Sequence, residues 1–133
     1  MKNIFSLFLS FAVIVLYLIF APESLLTTYD THKENVKRDE KYYQTKMCNE
    51  FGGKMEYVLF DKARVDCLTN EYAIEVDFAK KWAEGVGQAL YYAEITGKKP
   101  AIGLIVGSDD DAYLKRVGTV AEKFDIKIII LKR

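Results

Sequence analysis

The residues best suited to chemistry lie together in one stretch of the sequence, residues 64–92. Its acidic side chains include Asp66, Glu75 and Asp77, and Lys81 follows them within a few residues. Carboxylate oxygens are the ligands that Mg²⁺ prefers in proteins, usually together with waters and a phosphate group. The stretch therefore predicts a site in which a divalent cation and a lysine act on a phosphate ester.

The three acids fall on a predicted β-hairpin whose loop is residues 70–71. Counting back from this loop places Asp66 opposite Glu75, and Arg64 opposite Asp77. Because side chains alternate along a strand, these four charged residues share one face. The opposite, apolar face consists of Val65, Cys67, Ile74 and Val76.

Two interpretations of the charged face stay open. Like charges directly opposite one another are destabilising unless they are neutralised, and Mg²⁺ or Mn²⁺ would neutralise them. Alternatively, the face is a solvated surface on which Asp77 pairs with Arg64 and Glu75 is exposed. A slip of one residue in register would rearrange all of these pairs.

A helix from about Ala79 to Thr96 follows the hairpin. At 100° per residue, Lys81, Gln88 and Tyr92 lie within about 40° of one another. The opposing apolar stripe is formed by Trp82, Val86, Ala89, Leu90 and Ala93. The helix is thus expected to pack through its tryptophan and to present a lysine, an amide and a phenol on another face.

Asp66, Glu75 and the sequence Gln88-x-x-x-Tyr92 together resemble the PD-(D/E)XK nuclease superfamily, particularly its RecB-like members. The resemblance covers Lys54 to about Leu131 and implies a restriction endonuclease-like core. It implies that Asp66 and Glu75 bind Mg²⁺ or Mn²⁺, and that Gln88 and Tyr92 orient the site or the nucleic-acid backbone.

The sequence departs from that family at Asp77, which stands where the family has its lysine. Lys81 is the candidate replacement, with Lys80 or Arg64 behind it, and Asp77 is then a third metal ligand or the partner of Arg64. Some members of the family also supply an acid from the first helix, for which Glu40 and Glu50 are candidates.

Two functions follow from this resemblance. The first is a magnesium-dependent hydrolase that cleaves phosphodiester bonds of nucleic acid. The second is a catalytically inactive, nuclease-like scaffold that serves as an extracytoplasmic binding module. Asp77 at the lysine position favours the second function, as does the balance of nineteen basic and nineteen acidic residues, since a basic surplus is usual in proteins that bind duplex DNA.

The elements that must position these residues form one α/β domain, residues 32–133. The predicted order is α-β-β-β-α-β-α-β, with a mixed central sheet and flanking helices. The predicted helices are 32–51, 79–96 and 108–124, and the predicted strands are 54–60, 64–68, 72–78, 101–106 and 126–131.

An uncharged hydrophobic segment, Ile4 to Ala21, precedes this domain. As a helix it would be about 27 Å long, close to the thickness of the bilayer core. Residues 1–21 are therefore a membrane anchor or a signal segment, and residues 22–31 are a linker. A poor cleavage site, with Ile19 where a small residue is needed, favours a single-pass anchor with the domain on the extracytoplasmic side.

Cys48 and Cys67 are the two cysteines of the chain. An oxidising compartment would permit a disulfide between them, and the alternative is a pair of small buried side chains.

Overall fold

The computed structural model of the chain describes residues 38–133. The predicted anchor, the linker and the first residues of the predicted domain lie outside this range. Within it, we find no helix that is both long and apolar enough to cross a bilayer.

Within residues 38–133, three α-helices and five strands follow one another in the predicted order, so the predicted mixed α/β class is confirmed. The helices are α1 (Glu40–Glu50), α2 (Trp82–Thr96) and α3 (Asp111–Phe124). The strands are β1 (Lys54–Val58), β2 (Arg64–Leu68), β3 (Tyr72–Phe78), β4 (Lys99–Val106) and β5 (Lys127–Lys132).

The five strands form one sheet in the order β1-β2-β3-β4-β5. The first three pair antiparallel and the last two extend the sheet in parallel, which requires the crossover helices α2 and α3. Residues of α2 and α3 pack with Ile102 and Leu104 in one buried cluster, whereas residues of α1 pack with Ala101 and Ile105 in another. Helices therefore cover both faces of the sheet.

The first helix begins later than predicted, at Glu40 instead of His32. Asp39 is extended and its side chain accepts a hydrogen bond from the Tyr42 N–H at 3.1 Å, so it caps the helix and sets its start. Gly52, with φ of 62°, follows the end of the helix as predicted.

The crossover helix also differs from its prediction. A 3₁₀ turn, Ala79–Lys81, precedes α2, so helical spacing cannot be counted through Lys81. Gly97 ends α2 in the left-handed conformation, as expected. Gly85 faces the sheet, and a Cβ there would lie 2.7 Å from Ile102 Cδ1, so the absence of a side chain lets the helix approach the sheet closely.

Smaller differences concern the ends of other elements. The strand β1 ends at Val58 instead of Phe60, and β4 begins at Lys99 instead of Ala101. The last helix begins at Asp111, and Asp110 makes no side-chain cap to it. Instead, the Asp110 carboxylate accepts hydrogen bonds from the Gly107 N–H at 2.7 Å and from Arg133 Nη2 at 2.9 Å.

Candidate functional site

A cleft of about 510 Å³ collects residues from α1, α2 and the three antiparallel strands. Its acidic side chains are Glu40, Glu56, Asp66 and Glu75. Its other polar and basic side chains are Lys41, Gln44, Arg64, Gln88 and Tyr92. Five of the residues predicted from sequence thus line a single cavity, whereas Asp77 and Lys81 lie beside it.

The predicted hairpin register is the observed one where the ladder is formed. Cys67 pairs with Ile74, and Leu68 with Ala73. Beyond these pairs, the side chain of Asp66 links the two strands. Its Oδ2 accepts a hydrogen bond from the Val76 N–H at 2.8 Å. A side chain therefore replaces the main chain as the link between the strands at the level of the cleft.

The apolar face of the hairpin differs from the predicted one. Cys67 and Ile74 pack against α1 as expected, but Val65 belongs to a different buried cluster with Tyr92 and Ala73. Simple alternation along the strands therefore does not describe this face, and Glu56 of the neighbouring strand β1 has φ of 51°.

Glu75 is the most strongly perturbed acid of the cleft. The residue is 7% exposed, and its Oε2 atom is buried without a hydrogen-bond partner. Burial, together with the charges of the nearby Asp66 and Asp77 carboxylates, raises the pKa of Glu75 to about 9. Near neutral pH this side chain therefore carries a proton, because nothing in the described part of the chain compensates its charge.

Asp66 is better satisfied than Glu75. Besides the Val76 N–H, it accepts a hydrogen bond from Gln44 Nε2 at 3.1 Å. Burial raises the pKa of Asp66 to about 6, and the hydrogen bond from Val76 opposes this shift. Two carboxyl groups with raised pKa values thus lie in one cleft, a common property of functional sites.

Asp77 pairs with Lys81 instead of Arg64. Lys81 Nζ lies 3.3 Å from Asp77 Oδ1, and the Asp77 charge is the main reason that the pKa of Lys81 is raised. Asp77 is 3% exposed, and its carboxylate also accepts a hydrogen bond from the Phe78 N–H. The predicted pair of Arg64 with Asp77 is wrong, since Arg64 turns to Glu56 at 3.3 Å.

Of the two candidate acids in the first helix, Glu40 lies in the cleft. Burial raises its pKa, and the Asp77 carboxylate adds to this effect. Glu50 lies elsewhere, in a separate cleft of about 260 Å³ that Ile130 also lines.

Gln88 and Tyr92 lie together on the face of α2 that meets the cleft. Gln88 Nε2 donates to the Tyr92 hydroxyl at 3.3 Å. Tyr92 is 4% exposed and packs in the core, so the predicted separation of this face from the packing face is wrong. Burial raises the pKa of Tyr92, and the charge of Glu75 raises it further.

Sequence reasoning missed Gln44, which is nearly fully buried and joins two acids of the cleft. Its Nε2 donates to Glu56 Oε1 at 2.9 Å as well as to Asp66. Its spacing of four residues from Glu40 on a helix is the signal that would have indicated it.

A disulfide joins Cys48 of α1 to Cys67 of β2. Because Cys67 is adjacent to Asp66, this bond holds the helix that supplies Glu40 and Gln44 against the strand that supplies Asp66. The cysteines thus contribute to positioning the cleft.

Within residues 38–133, no three acidic, histidine or cysteine side chains converge as a ready-made metal centre. The donor set of Asp66 and Glu75 nevertheless fits Mg²⁺ chemistry, which needs only one or two carboxylates when waters and a phosphate complete the shell. The unpartnered Oε2 of Glu75 is the atom that such an ion would satisfy.

The chain is similar to the putative KilA-N domain-containing protein L33 of Acanthamoeba polyphaga mimivirus, with 34% identity over 111 residues. The match covers 80% of this chain and 41% of the relative, so the chain spans about two fifths of that protein's length. No family model matches the chain. No solved structure matches it either.

Proposed function

We propose that this protein is a magnesium- or manganese-dependent phosphodiesterase that acts on nucleic acid, built on a restriction endonuclease-like core. The observation that carries the proposal is the buried, unpartnered carboxylate oxygen of Glu75, a residue that lines a polar cleft together with Asp66. A protein that buries an acid without a partner loses stability, unless a ligand compensates for the cost.

Asp66 and Glu75 would hold the metal ion in this proposal. When bound, the ion would lower the pKa of a water and offset charge on the scissile phosphate. The attacking water would lose a proton to solvent as its oxygen bonds to the phosphorus. The bond from phosphorus to the leaving oxygen would break, and the leaving oxygen would take up a proton from solvent, which gives a phosphomonoester and an alcohol.

Lys81 has the role that the superfamily gives to the lysine after its acid. It is tethered to Asp77, and its side chain is about half exposed, at 47%. From there it can turn from Asp77 to the phosphate once the metal shares the negative charge of the cleft. Gln88 and Tyr92 orient the backbone of the nucleic acid beside it.

The name of the viral relative records a KilA-N domain. Because the match covers 41% of that protein, the proposal rests on the cleft and not on the name.

The test is cleavage of labelled single-stranded and duplex DNA and RNA by the purified full chain, with Mg²⁺ or Mn²⁺ and with EDTA. We expect metal-dependent cleavage that Glu75→Gln removes. Glu71→Gln is the matched control, since Glu71 is exposed and pairs with Lys99 outside the cleft. Cleavage that survives Glu75→Gln would refute the proposal.

The second candidate is the inactive, nuclease-like binding module. It is favoured by the pairing of Asp77 with Lys81, which engages the candidate catalytic lysine. Lys81→Met separates the two candidates: it lowers cleavage if the site is active, and it changes only stability or binding if the site is inactive.

We further propose that residues 4–21 attach the domain to a membrane, on its extracytoplasmic side. The sequence of this segment supports the proposal. Recovery of the full chain in the membrane pellet after alkaline extraction tests attachment, and protease accessibility in intact cells tests the side.

A further inference from the structure

Glu56 lines the cleft, and its carboxylate contacts three donor side chains. Lys41 Nζ lies 2.7 Å from Oε1, and Arg64 Nη1 lies 3.3 Å from Oε2. Gln44 Nε2 donates to Oε1 at 2.9 Å. A lysine, a guanidinium and an amide around one anion form the donor set that proteins use to bind a phosphate.

The backbone of Glu56, whose side chain these donors contact, is strained. Its neighbours pair regularly, Met55 with Cys67 and Tyr57 with Val65. Glu56 itself has φ of 51°, a left-handed conformation that disfavours residues with a side chain. Its side-chain contacts help to hold this conformation, so displacement of the carboxylate would allow the backbone to relax.

An incoming anion can reach the same donors. The side chains of Lys41 and Arg64 are 54% and 66% exposed, and that of Glu56 is 34% exposed. Gln44 connects this group directly to Asp66, the first proposed metal ligand. Gln44 therefore connects this group of donors to the proposed metal site by a direct hydrogen bond.

We propose that Lys41, Arg64 and Gln44 form a phosphate-binding subsite, which the Glu56 carboxylate occupies until a phosphodiester of the substrate displaces it. The subsite deepens the proposed function and rests on it for the identity of the substrate, a nucleic-acid strand whose neighbouring phosphate lies at Asp66 and Glu75. Glu56 thus lowers the affinity of the free protein for polyanions.

Another exposed ion pair shows what an ordinary contact of this kind looks like. Glu71 and Lys99 lie 3.1 Å apart, and both side chains are more than half exposed. Glu71 has no positive φ and makes no contact with the cleft. Neutralising Glu71 changes the net charge by the same amount as neutralising Glu56, but it frees no subsite.

The experiment measures binding of fluorescein-labelled single-stranded DNA to the full chain by fluorescence anisotropy in EDTA, where cleavage does not interfere. Glu56→Gln keeps the shape of the side chain and removes its charge. We expect it to bind DNA roughly threefold or more tighter than wild type, whereas Glu71→Gln stays within about twofold.

The gain must depend on the freed donors. Adding Arg64→Gln or Lys41→Gln to Glu56→Gln is expected to return the affinity to about the wild-type level, with a shallower dependence on salt. Competition with inorganic phosphate distinguishes a site for free phosphate from a site for the strand. If the site binds the strand, labelled DNA stays bound when inorganic phosphate is added at the same concentration as the phosphate groups of the DNA. Circular dichroism verifies that each variant is folded.

The subsite is refuted if Glu56→Gln binds no tighter than Glu71→Gln, if no variant binds DNA, or if the gain persists in both double variants. These outcomes are distinct from failure of the proposed function. Cleavage that Glu75→Gln removes, with no effect of Glu56→Gln on binding, refutes only the subsite. Tighter binding by Glu56→Gln without any cleavage refutes only the hydrolase.

Discussion

Two buried carboxylates, Glu75 and Asp110, are handled in opposite ways by the same fold. Both are nearly inaccessible, at 7% and 9% exposure. Asp110 receives hydrogen bonds from the Gly107 N–H and from Arg133, so its charge is compensated from within the chain. Glu75 keeps one oxygen without a partner, and burial raises its pKa to about 9.

The difference separates a structural acid from a candidate functional one. The fold is able to satisfy a buried carboxylate, as it does after β4. It leaves Glu75 uncompensated beside Asp66 and Asp77, which makes the cleft costly in the absence of a ligand. Changes at Glu75 and at Asp110 are therefore expected to differ in their effects on stability, on its pH dependence and on metal binding.

Removal of the disulfide is expected to have the largest effect of all these changes, and to affect the cleft that contains Glu75 more than the surroundings of Asp110. The bond closes a loop of 19 residues, so the double variant Cys48→Ala with Cys67→Ala loses about 3 kcal/mol of unfolding free energy. Urea unfolding measures the loss. Hydrogen exchange is expected to rise around Asp66 more than around Asp110, and an equal rise at both would contradict the assigned role of the bond.

Neutralising the two acids is expected to change stability unequally. Asp110→Asn loses charge-assisted hydrogen bonds and about 1 to 3 kcal/mol of unfolding free energy. Glu75→Gln removes the cost of protonating this acid on folding near pH 7, so the variant is expected to be at least as stable as wild type there. Equal losses in the two variants would remove the distinction between the acids.

The pH dependence of stability sharpens the same contrast. The pKa of Glu75 is raised in the folded state from 4.5 to about 9, so the folded chain holds a proton that the unfolded chain releases. Its contribution is complete below the unfolded pKa and is lost as pH rises through the folded pKa.

We therefore expect the unfolding free energy of wild type to fall as the pH rises from about pH 5 to pH 9, with a slope of up to about 1.4 kcal/mol per pH unit. Glu75→Gln is expected to flatten this slope above about pH 6, where Asp66 has also released its proton. An unchanged slope in the variant would assign the pH dependence to other groups. Urea titrations across this pH range provide the measurement.

Metal binding is expected to give the smallest effect. Mg²⁺ must displace the proton of Glu75, so it stabilises the folded chain more at high pH than at low pH. Calorimetry is expected to show a rise in Tm of roughly 2 to 4 °C near pH 9 and less near pH 6. The shift should be absent in Glu75→Gln and retained in Asp110→Asn; a shift in both variants would place the ion elsewhere.

Much of the fold was predictable because strong local signals determine it. The register of β2 and β3 follows from the turn, in which the Thr69 N–H donates to the Tyr72 carbonyl at 2.9 Å. The apolar run from Ala101 became the central part of β4, which has a strand on each side. Asp66 and Glu75 could therefore be assigned to one cavity from sequence alone.

The parts that could not be predicted depend on conformations without a local signal. The left-handed backbone at Glu56 lies in the middle of β1, and no glycine marks it. The 3₁₀ turn before α2 decides that Lys81 pairs with Asp77. Gln44 reaches Asp66 across 22 residues of sequence, a contact that only the assembled sheet creates.

The strand order of the sheet, identical to the order of the strands along the chain, also affects how the molecule forms. Each strand pairs with the strand that precedes it in the sequence, so the sheet can grow one strand at a time during synthesis. Short loops join the antiparallel strands, whereas crossover helices join the parallel ones. The strands that carry Glu56, Asp66 and Glu75 come first. The nascent chain can thus bring these carboxylates together before the parallel half of the sheet exists.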